Sequence, residues 1–162
     1  MSLRLAFDCE TDGLLDTLTK LHCLAITDLD TGEKMDFADQ PGHRPIREGL
    51  ALLAKAKLLV GHNIIEFDIP AIKKVCPDWT YAGLVRDTIV LARVMWPHIK
   101  EQDFRLADKG TLPKRLIGNF SLESFGYRLG ILKGEYNGGW EKWSPKILQL
   151  VEVRAFPSQV KL

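Results

Sequence analysis

Residues 3–13, with the sequence LRLAFDCETDG, run from an apolar stretch directly into a cluster of acidic residues. The apolar part has the composition of a buried β-strand, and Asp8, Glu10 and Asp12 follow at alternate positions. Side chains two positions apart in a strand point to the same face of a sheet. Carboxylates this close repel one another and resist burial unless a positive charge lies among them. The segment therefore predicts a strand whose acidic end requires a neutralising cation.

The rest of the chain alternates short apolar segments with turn signals and helical spacings. Residues 22–28 and 34–37 flank a turn signal and predict two strands that continue the first in an antiparallel arrangement. Strands are also predicted at 57–62 and 84–87, and each is followed by a predicted helix, at about 67–75 and 88–96 respectively. Another helix is predicted to begin at Pro45. These elements predict an α/β fold in which a mixed sheet, three antiparallel strands plus parallel strands, is flanked by helices.

The second half contains two predicted helix caps and one long irregular segment. Asp87 and Ser121 each precede a helical pattern and are predicted N-cap residues. Residues 97–119 are polar and basic and include Gly110, Pro113 and Gly118, which predicts a long functional or mobile loop. A final helix is predicted to begin at Pro145.

Length, composition and charge limit the classes of protein that fit. The 162 residues, 46% of them hydrophobic, suit one domain with a substantial core. No apolar run approaches the roughly 18 residues of a membrane span, and the first residues do not predict a secretory signal. Three widely spaced cysteines predict reduced thiols rather than a disulfide framework or a zinc site.

The charge is distributed unevenly, although the net charge of +1 names no partner. Residues 1–40 carry nine acidic residues and three basic ones, whereas residues 105–133 carry six basic residues and two acidic ones. This distribution suits a metal site beside a phosphate-binding surface, and it equally suits two ordinary solvated faces.

A second acidic segment supports the functional interpretation of the first. Taken alone, a D-x-E pair in a strand is most often a surface or turn feature. Residues 60–68, VGHNIIEFD, carry another strand to its end and place Asn63 and Asp68 near the start of the next helix. Hard divalent cations such as Mg²⁺ favour oxygen ligands, and two such ions about 4 Å apart can promote phosphodiester hydrolysis. The two segments together predict that divalent metal neutralises the carboxylates, and we interpret Asp12 as solvated.

The motifs resemble a known family. F-D-x-E-T-x-G-L at 7–14 and N-x-x-x-F-D at 63–68 resemble the first two motifs of the DEDD 3′–5′ exonucleases, which have a ribonuclease-H-like fold. Residues 110–136, GTLPKRLIGNFSLESFGYRLGILKGEY, are similar to the exonuclease domain of family A DNA polymerases from T-seven-like bacteriophages. Residues 86–96, RDTIVLARVMW, resemble a helix of that domain. The resemblance covers about residues 3–147 and implies an α/β, ribonuclease-H-like fold.

The resemblance also implies roles for individual residues. Asp8, Glu10 and Asp68 correspond to catalytic metal ligands, which implies a two-metal site for Mg²⁺ or Mn²⁺. The positions that would contact the terminal nucleotide are Thr11, Leu14, Asn63 and Phe67. Each of these residues also has a purely structural alternative. Thr11 and Leu14 would form the turn and fill the core, Asn63 would cap the helix, and Phe67 would be a core residue.

The third motif of the family departs from its usual form in this sequence. The family has Tyr-x-x-x-Asp on the last helix, where this chain reads WSPKILQLVEVRAFPSQVKL from residue 143. An ungapped alignment places Leu150 and Arg154 at the two motif positions, and a two-residue deletion places Leu148 and Glu152 there. We take residues 1–162 as a single exonuclease-like domain whose third motif is degenerate or truncated after about residue 147. Glu152 is the candidate fourth catalytic carboxylate.

Three functions follow from these observations. The first is a metal-dependent 3′–5′ exonuclease on single-stranded DNA or frayed 3′ ends, associated with a polymerase domain or chain and cytoplasmic in a bacterial or phage-infected cell. The second is a weakened exonuclease fold that binds a single strand or a partner, and the third is an RNA-directed exonuclease. Phosphate contacts are expected from basic residues of the 97–119 segment, namely Lys109, Lys114 and Arg115.

Overall fold

The computed structural model describes residues 3–130, which form a five-stranded mixed sheet with helices around it. The strands are β1 Arg4–Thr11, β2 Leu21–Asp28, β3 Lys34–Phe37, β4 Leu58–Gly61 and β5 Leu84–Asp87. The helices are α1 Ile46–Lys55, α2 Asp68–Val75, α3 Thr88–Met95, α4 Ile99–Asp108 and α5 Leu122–Leu129, with a short 3-10 helix at Lys114–Leu116.

The sheet order is β3-β2-β1-β4-β5. The first three strands pair antiparallel, and β4 and β5 run parallel to β1. The sequence prediction of three antiparallel strands plus parallel strands is therefore confirmed. Among residues 3–130, no helix is long and apolar enough to cross a bilayer. All three cysteines lie in this range and have free thiols.

The alternation of side chains along β1 separates the core from the acidic face. Leu5, Phe7 and Cys9 are buried in the main core, where α1 and α2 pack on the sheet. Ala6 belongs to a smaller cluster on the opposite face with Leu58 and Val60 of β4. Since Asp8 and Glu10 share the alternation of Ala6, the strand directs them away from the main core.

The segment 97–119, predicted to be one long loop, contains two helical stretches instead. It contains α4 and the 3-10 helix, and Ile99 and Asp103, one helical turn apart, are both buried. The polar composition is misleading because the carboxylate of Asp103 is buried through an ion pair rather than solvated. Its partner, Arg128, lies 25 residues further along the chain, so no local pattern reveals the pairing.

The Asp103–Arg128 pair connects α4 with α5. Arg128 Nη2 lies 2.6 Å from Asp103 Oδ2, and the side chains are 6% and 0% exposed. Asp103 also accepts a hydrogen bond from the Gly118 backbone N–H at 2.8 Å, and Arg128 donates to the Ser124 hydroxyl. Burial alone would raise the pKa of Asp103, but the hydrogen bonds from Arg128 and Gly118 and the charge of Arg128 lower it. The carboxylate of Asp103 thus remains ionised inside the protein.

Candidate active site

Asp8 and Glu10 lie at the carboxyl end of β1, next to the antiparallel strand β2. Their pairing partners are Ala25 and Cys23, respectively, and both carboxylates are half-buried. Burial, together with the charges of Glu10 and Asp8, raises the pKa of the Cys23 thiol to about 11. The two carboxylates thus contribute part of this shift, and negative charge on this face of the sheet disfavours another anion and favours a cation.

The position of Asp68 follows from the unequal lengths of β1 and β4. The two strands pair only from Arg4 to Ala6, so the Cys9 N–H extends beyond the partner strand. Asp68, the first residue of α2, supplies the missing acceptor: its Oδ1 lies 2.9 Å from the Cys9 nitrogen. Because Cys9 stands between Asp8 and Glu10 in β1, this hydrogen bond brings the third predicted carboxylate to the same segment of the strand.

The carboxylate of Asp68 is difficult to ionise where it lies. The residue is 3% exposed, and burial raises its pKa to about 6, although the hydrogen bonds from Cys9 oppose the shift. A nearby cation would favour the ionised form.

Asp87 shapes the loop between β4 and α2, a role that the sequence did not reveal. Its predicted capping role is confirmed, since it accepts from the Ile89 N–H at 3.0 Å. The same buried carboxylate also accepts from the backbone N–H groups of Asn63, at 2.8 Å, and Ile65, at 3.0 Å. An aspartate before a helix indicates only a cap, so the two additional bonds have no signal in the local sequence.

The same loop places Asn63 and Phe67 before α2. Asn63 has φ = 68°, a left-handed conformation that asparagine tolerates better than most residues. The helix begins five residues later with Phe67 at the N-cap position, and no side chain caps it. The alternative in which Asn63 caps this helix is therefore wrong. Both residues are half-buried.

The loop between β1 and β2 presents Leu14 to solvent. Leu14 is 71% exposed, whereas Leu18 is 2% exposed and occupies the core. The alternative in which Leu14 plugs the core is therefore wrong. The Thr11 hydroxyl donates to the Gly13 carbonyl at 2.7 Å and forms part of the turn.

Asp12 has a more specific role than the solvated side chain we predicted. It is exposed, but its carboxylate accepts from the backbone N–H groups of Thr19, at 2.8 Å, and Lys20, at 3.1 Å. The Thr19 hydroxyl also donates to it, and these bonds lower the pKa of Asp12 well below its usual range. Asp12 therefore binds the far end of the loop between β1 and β2 and connects its two ends.

The predicted phosphate-binding residues are exposed but lie in ordered elements. Lys109 is the C-cap of α4, and Lys114 and Arg115 lie in the 3-10 helix. The Arg115 guanidinium pairs with both carboxylate oxygens of Glu123, one of them at 3.0 Å. A phosphate would have to compete with this carboxylate for Arg115, whereas no such partner is found for the two lysines within residues 3–130.

The residues present fit a hard divalent cation in their donor chemistry. Asp8, Glu10 and Asp68 offer only carboxylate oxygens, the preferred ligands of Mg²⁺, and all three lie on or against one segment of β1. Within residues 3–130, however, no three His, Cys, Asp or Glu side chains are gathered closely enough to hold a metal ion. Glu152, the predicted fourth carboxylate, lies outside the described residues.

Replacing Asp68 with asparagine should stabilise the metal-free protein at high pH. A folded-state pKa of about 6, above the ordinary value of about 4, contributes stability below pH 4 that is lost as the pH rises through 6. Asparagine keeps an oxygen acceptor for the Cys9 N–H and carries no charge. In EDTA we therefore expect Asp68→Asn to raise the Tm by about 5 °C at pH 8 and to change it little at pH 4.

The control is Asp78→Asn, which removes the charge of an exposed aspartate and should show no such dependence on pH. Mg²⁺ should raise the Tm of the parent more than that of Asp68→Asn, because only the parent retains the carboxylate. An equal Tm for parent and Asp68→Asn at pH 8 would contradict the account of this site.

No family model matches the chain, but two curated proteins do. Over 141 residues it is 33% identical to the DNA-directed DNA polymerase of Escherichia phage T7, covering 83% of this chain and 20% of the polymerase. The DNA-directed DNA polymerase of Enterobacteria phage T3 is 33% identical over 144 residues, with 85% and 20% covered. The chain thus spans about a fifth of the length of these relatives.

Solved structures of exonuclease I share the fold. The crystal structure of E. coli exonuclease I in complex with a dT13 oligonucleotide superposes with a TM-score of 0.64 at 16% identity, covering 96% of this chain and 40% of that chain. A product-bound structure of exonuclease I gives a TM-score of 0.62 at 17% identity, with 94% and 42% covered. The predicted ribonuclease-H-like fold is confirmed.

Proposed function

This chain is a relative of the T-seven-like phage DNA polymerases in a segment with the ribonuclease-H-like exonuclease fold, and we propose that it is a divalent-metal-dependent 3′–5′ exonuclease acting on DNA. The proposed reaction is hydrolysis of the phosphodiester bond at the 3′ end of a single strand or a frayed duplex. The relatives are polymerases of greater length, so association with a polymerase domain or chain is part of the proposal.

The hydrogen bond from the Cys9 N–H to Asp68 is the observation that carries this proposal. It joins the second acidic motif to the first at the one position of β1 that lies between Asp8 and Glu10. Asp68 is buried there, and burial raises its pKa to about 6. On the sheet face that carries Asp8 and Glu10, burial together with the charges of these two carboxylates raises the pKa of the Cys23 thiol. A purely structural aspartate at this position would gain nothing from two neighbouring carboxylates.

In the proposed mechanism, Asp8, Glu10 and Asp68 would hold one or two Mg²⁺ or Mn²⁺ ions. When bound, these ions would activate a water molecule and stabilise the leaving oxygen. The remaining residues position the DNA: Leu14 contacts the terminal base from its exposed loop, Thr11 maintains the turn that carries it, and Asn63 and Phe67 line the cleft beside the terminal nucleotide.

We propose Glu152 as the fourth carboxylate. Its side chain is one methylene longer than the aspartate of the family motif, and the motif tyrosine is replaced by leucine. Because a misplacement near 1 Å can cost about 100-fold in rate, a slow parent enzyme is expected. Mn²⁺ should support activity better than Mg²⁺, which requires more regular coordination.

The experiment that tests the function compares substrates and metals directly. The parent is incubated with a single-stranded DNA, and with an RNA of the same sequence, in Mg²⁺, Mn²⁺ or EDTA. We expect stepwise shortening of the DNA in Mn²⁺ and more slowly in Mg²⁺, with none in EDTA. Faster shortening of the RNA than of the DNA would show that RNA, and not DNA, is the substrate.

A nucleic-acid-binding module that no longer cleaves is the second candidate. It is favoured by one observation, namely that residues 3–130 do not gather three metal-ligating side chains around one point. Tight binding of single-stranded DNA with no shortening in either metal would support this candidate against the first.

Removing the predicted phosphate contacts should weaken the salt dependence of DNA binding. Each phosphate contact with a single strand contributes about 0.7 to the slope of log K against log salt. The triple alanine variant of Lys109, Lys114 and Arg115 should therefore lower this slope by about 1.4 to 2 in fluorescence anisotropy titrations. Of the three, Arg115 should contribute least because its guanidinium already pairs with the carboxylate of Glu123.

A matched triple variant removes three other exposed cations, Arg47, Lys55 and Lys57, of which the first two lie on α1. It should leave the slope close to that of the parent. If the two triple variants change the slope equally, the three predicted residues do not form the phosphate surface.

A further inference from the structure

The loop that carries Leu14 is held by side chains from two directions. From within, Asp12 binds the two backbone N–H groups at the end of the loop, and Leu18 fills the core. The Leu14 carbonyl itself accepts from the backbone N–H groups of Thr17, at 2.9 Å, and Leu18, at 2.7 Å. Leu14 is therefore an exposed apolar side chain on a compact turn.

From outside the loop, Lys74 provides a second attachment. Its ammonium donates to the carbonyl oxygens of Leu15, at 2.7 Å, and Asp16, at 3.0 Å. Hydrogen bonds from an ionised donor are stronger than neutral ones. They hold the two residues directly after Leu14, so they restrict the chain where the exposed side chain emerges.

Lys74 also lies on the helix that positions the catalytic carboxylate. It is in the last turn of α2, and Asp68, the first residue of the same helix, binds the Cys9 N–H of β1. One short helix therefore contacts the acidic site at its first turn and the Leu14 loop at its last. This arrangement relates the position of Leu14 to that of the carboxylates.

We propose that Lys74 is a positioning residue for the 3′ end of the nucleic acid, acting through Leu14. The inference rests on the proposed function, in which Leu14 contacts the terminal base. Lys74 itself contacts no substrate in this proposal. Its role is to keep the loop in one conformation before binding, so that less conformational freedom is lost when the strand binds.

The neighbouring Lys73 offers a matched control. Both lysines lie in the last turn of α2 and both are exposed, so each alanine variant removes one positive charge from the same place. The hydrogen bonds to the loop come from Lys74. In EDTA, we expect Lys74→Ala to weaken the affinity for a short single-stranded DNA about five- to tenfold relative to Lys73→Ala.

A double-mutant cycle tests whether the effect passes through Leu14. In a Leu14→Ala background, Lys74→Ala should cost no more affinity than Lys73→Ala does, since the side chain that it positions is gone. Lys74→Arg, which also carries donors able to reach the two carbonyls, should restore most of the affinity. Amide hydrogen exchange at Thr17 and Leu18 should be faster in Lys74→Ala than in Lys73→Ala.

The inference would be overturned if the two lysine variants bind DNA equally, or if Lys74→Ala costs the same affinity with and without Leu14. These measurements are made without metal and need no cleavage. A parent that fails to cleave would overturn the exonuclease proposal alone, and an additive cycle in an active enzyme would overturn only the role of Lys74.

Discussion

Replacing either Asp8 or Glu10 with alanine is expected to lower the rate of metal-dependent DNA shortening by about 1,000-fold or more. Losing a metal ligand removes several kcal/mol of stabilisation from the developing charge, and each 1.4 kcal/mol corresponds to a tenfold change in rate. Single-turnover measurements on a labelled oligonucleotide give the rate directly. Far-UV circular dichroism should show the same fold in the parent and both variants, because both carboxylates lie outside the main core.

Glu33→Ala is the control for these two variants. It removes an exposed carboxylate from the same acidic region of the sequence without touching β1, and should keep the rate within about twofold of the parent. A folded Asp8→Ala or Glu10→Ala variant that cleaves at the parental rate would remove that residue from the metal site.

Breaking the buried ion pair is expected to give the largest loss of stability. Asp103→Ala would leave Arg128 buried and unpaired and would orphan the Gly118 N–H, at a cost of about 3–5 kcal/mol. For a domain of this size, the Tm should fall by about 10 °C or more. Urea titration followed by circular dichroism measures the free energy of unfolding.

Two further variants test whether the loss of stability comes from leaving a buried charge without its partner. Glu123→Ala breaks the exposed pair with Arg115 and should cost at most about 1 kcal/mol. The double variant Asp103→Leu with Arg128→Met removes both buried charges and should recover much of the stability lost in Asp103→Ala. Equal losses for Asp103→Ala and Glu123→Ala would show that the buried pair has no special role.

The elements that could be predicted from the sequence are those specified by neighbouring residues. The apolar runs of β1 and β4, the turn between β2 and β3, and the caps at Asp87 and Ser121 are local signals, and all of them appear in the structure. The mixture of antiparallel and parallel strands follows from the same signals, because antiparallel neighbours need only a turn and parallel ones a helical connection.

The features that were missed depend on contacts between distant residues. Segment 97–119 looks like a loop because a buried Asp103 cannot be distinguished from a solvated one until Arg128 is placed beside it. The bonds from Asp87 to the β4–α2 loop and from Lys74 to the Leu14 loop span 22 residues or more. The acidic site could be predicted only in part. Its carboxylate residues can be identified in the sequence, but the hydrogen bond between Asp68 and the Cys9 N–H cannot.

The central claim, that this chain shortens DNA from the 3′ end, is tested most directly by blocking one end of the substrate. A 5′-labelled single-stranded oligonucleotide is prepared with hydrolysis-resistant methylphosphonate linkages, which carry no sulfur that Mn²⁺ could bind, at the 3′ end, at the 5′ end or at neither, and incubated with the parent in Mn²⁺. We expect a ladder of progressively shorter products from the unblocked and 5′-blocked substrates, and none from the 3′-blocked one. Equal shortening of the 3′-blocked substrate, or intact DNA in all three reactions, would contradict the account.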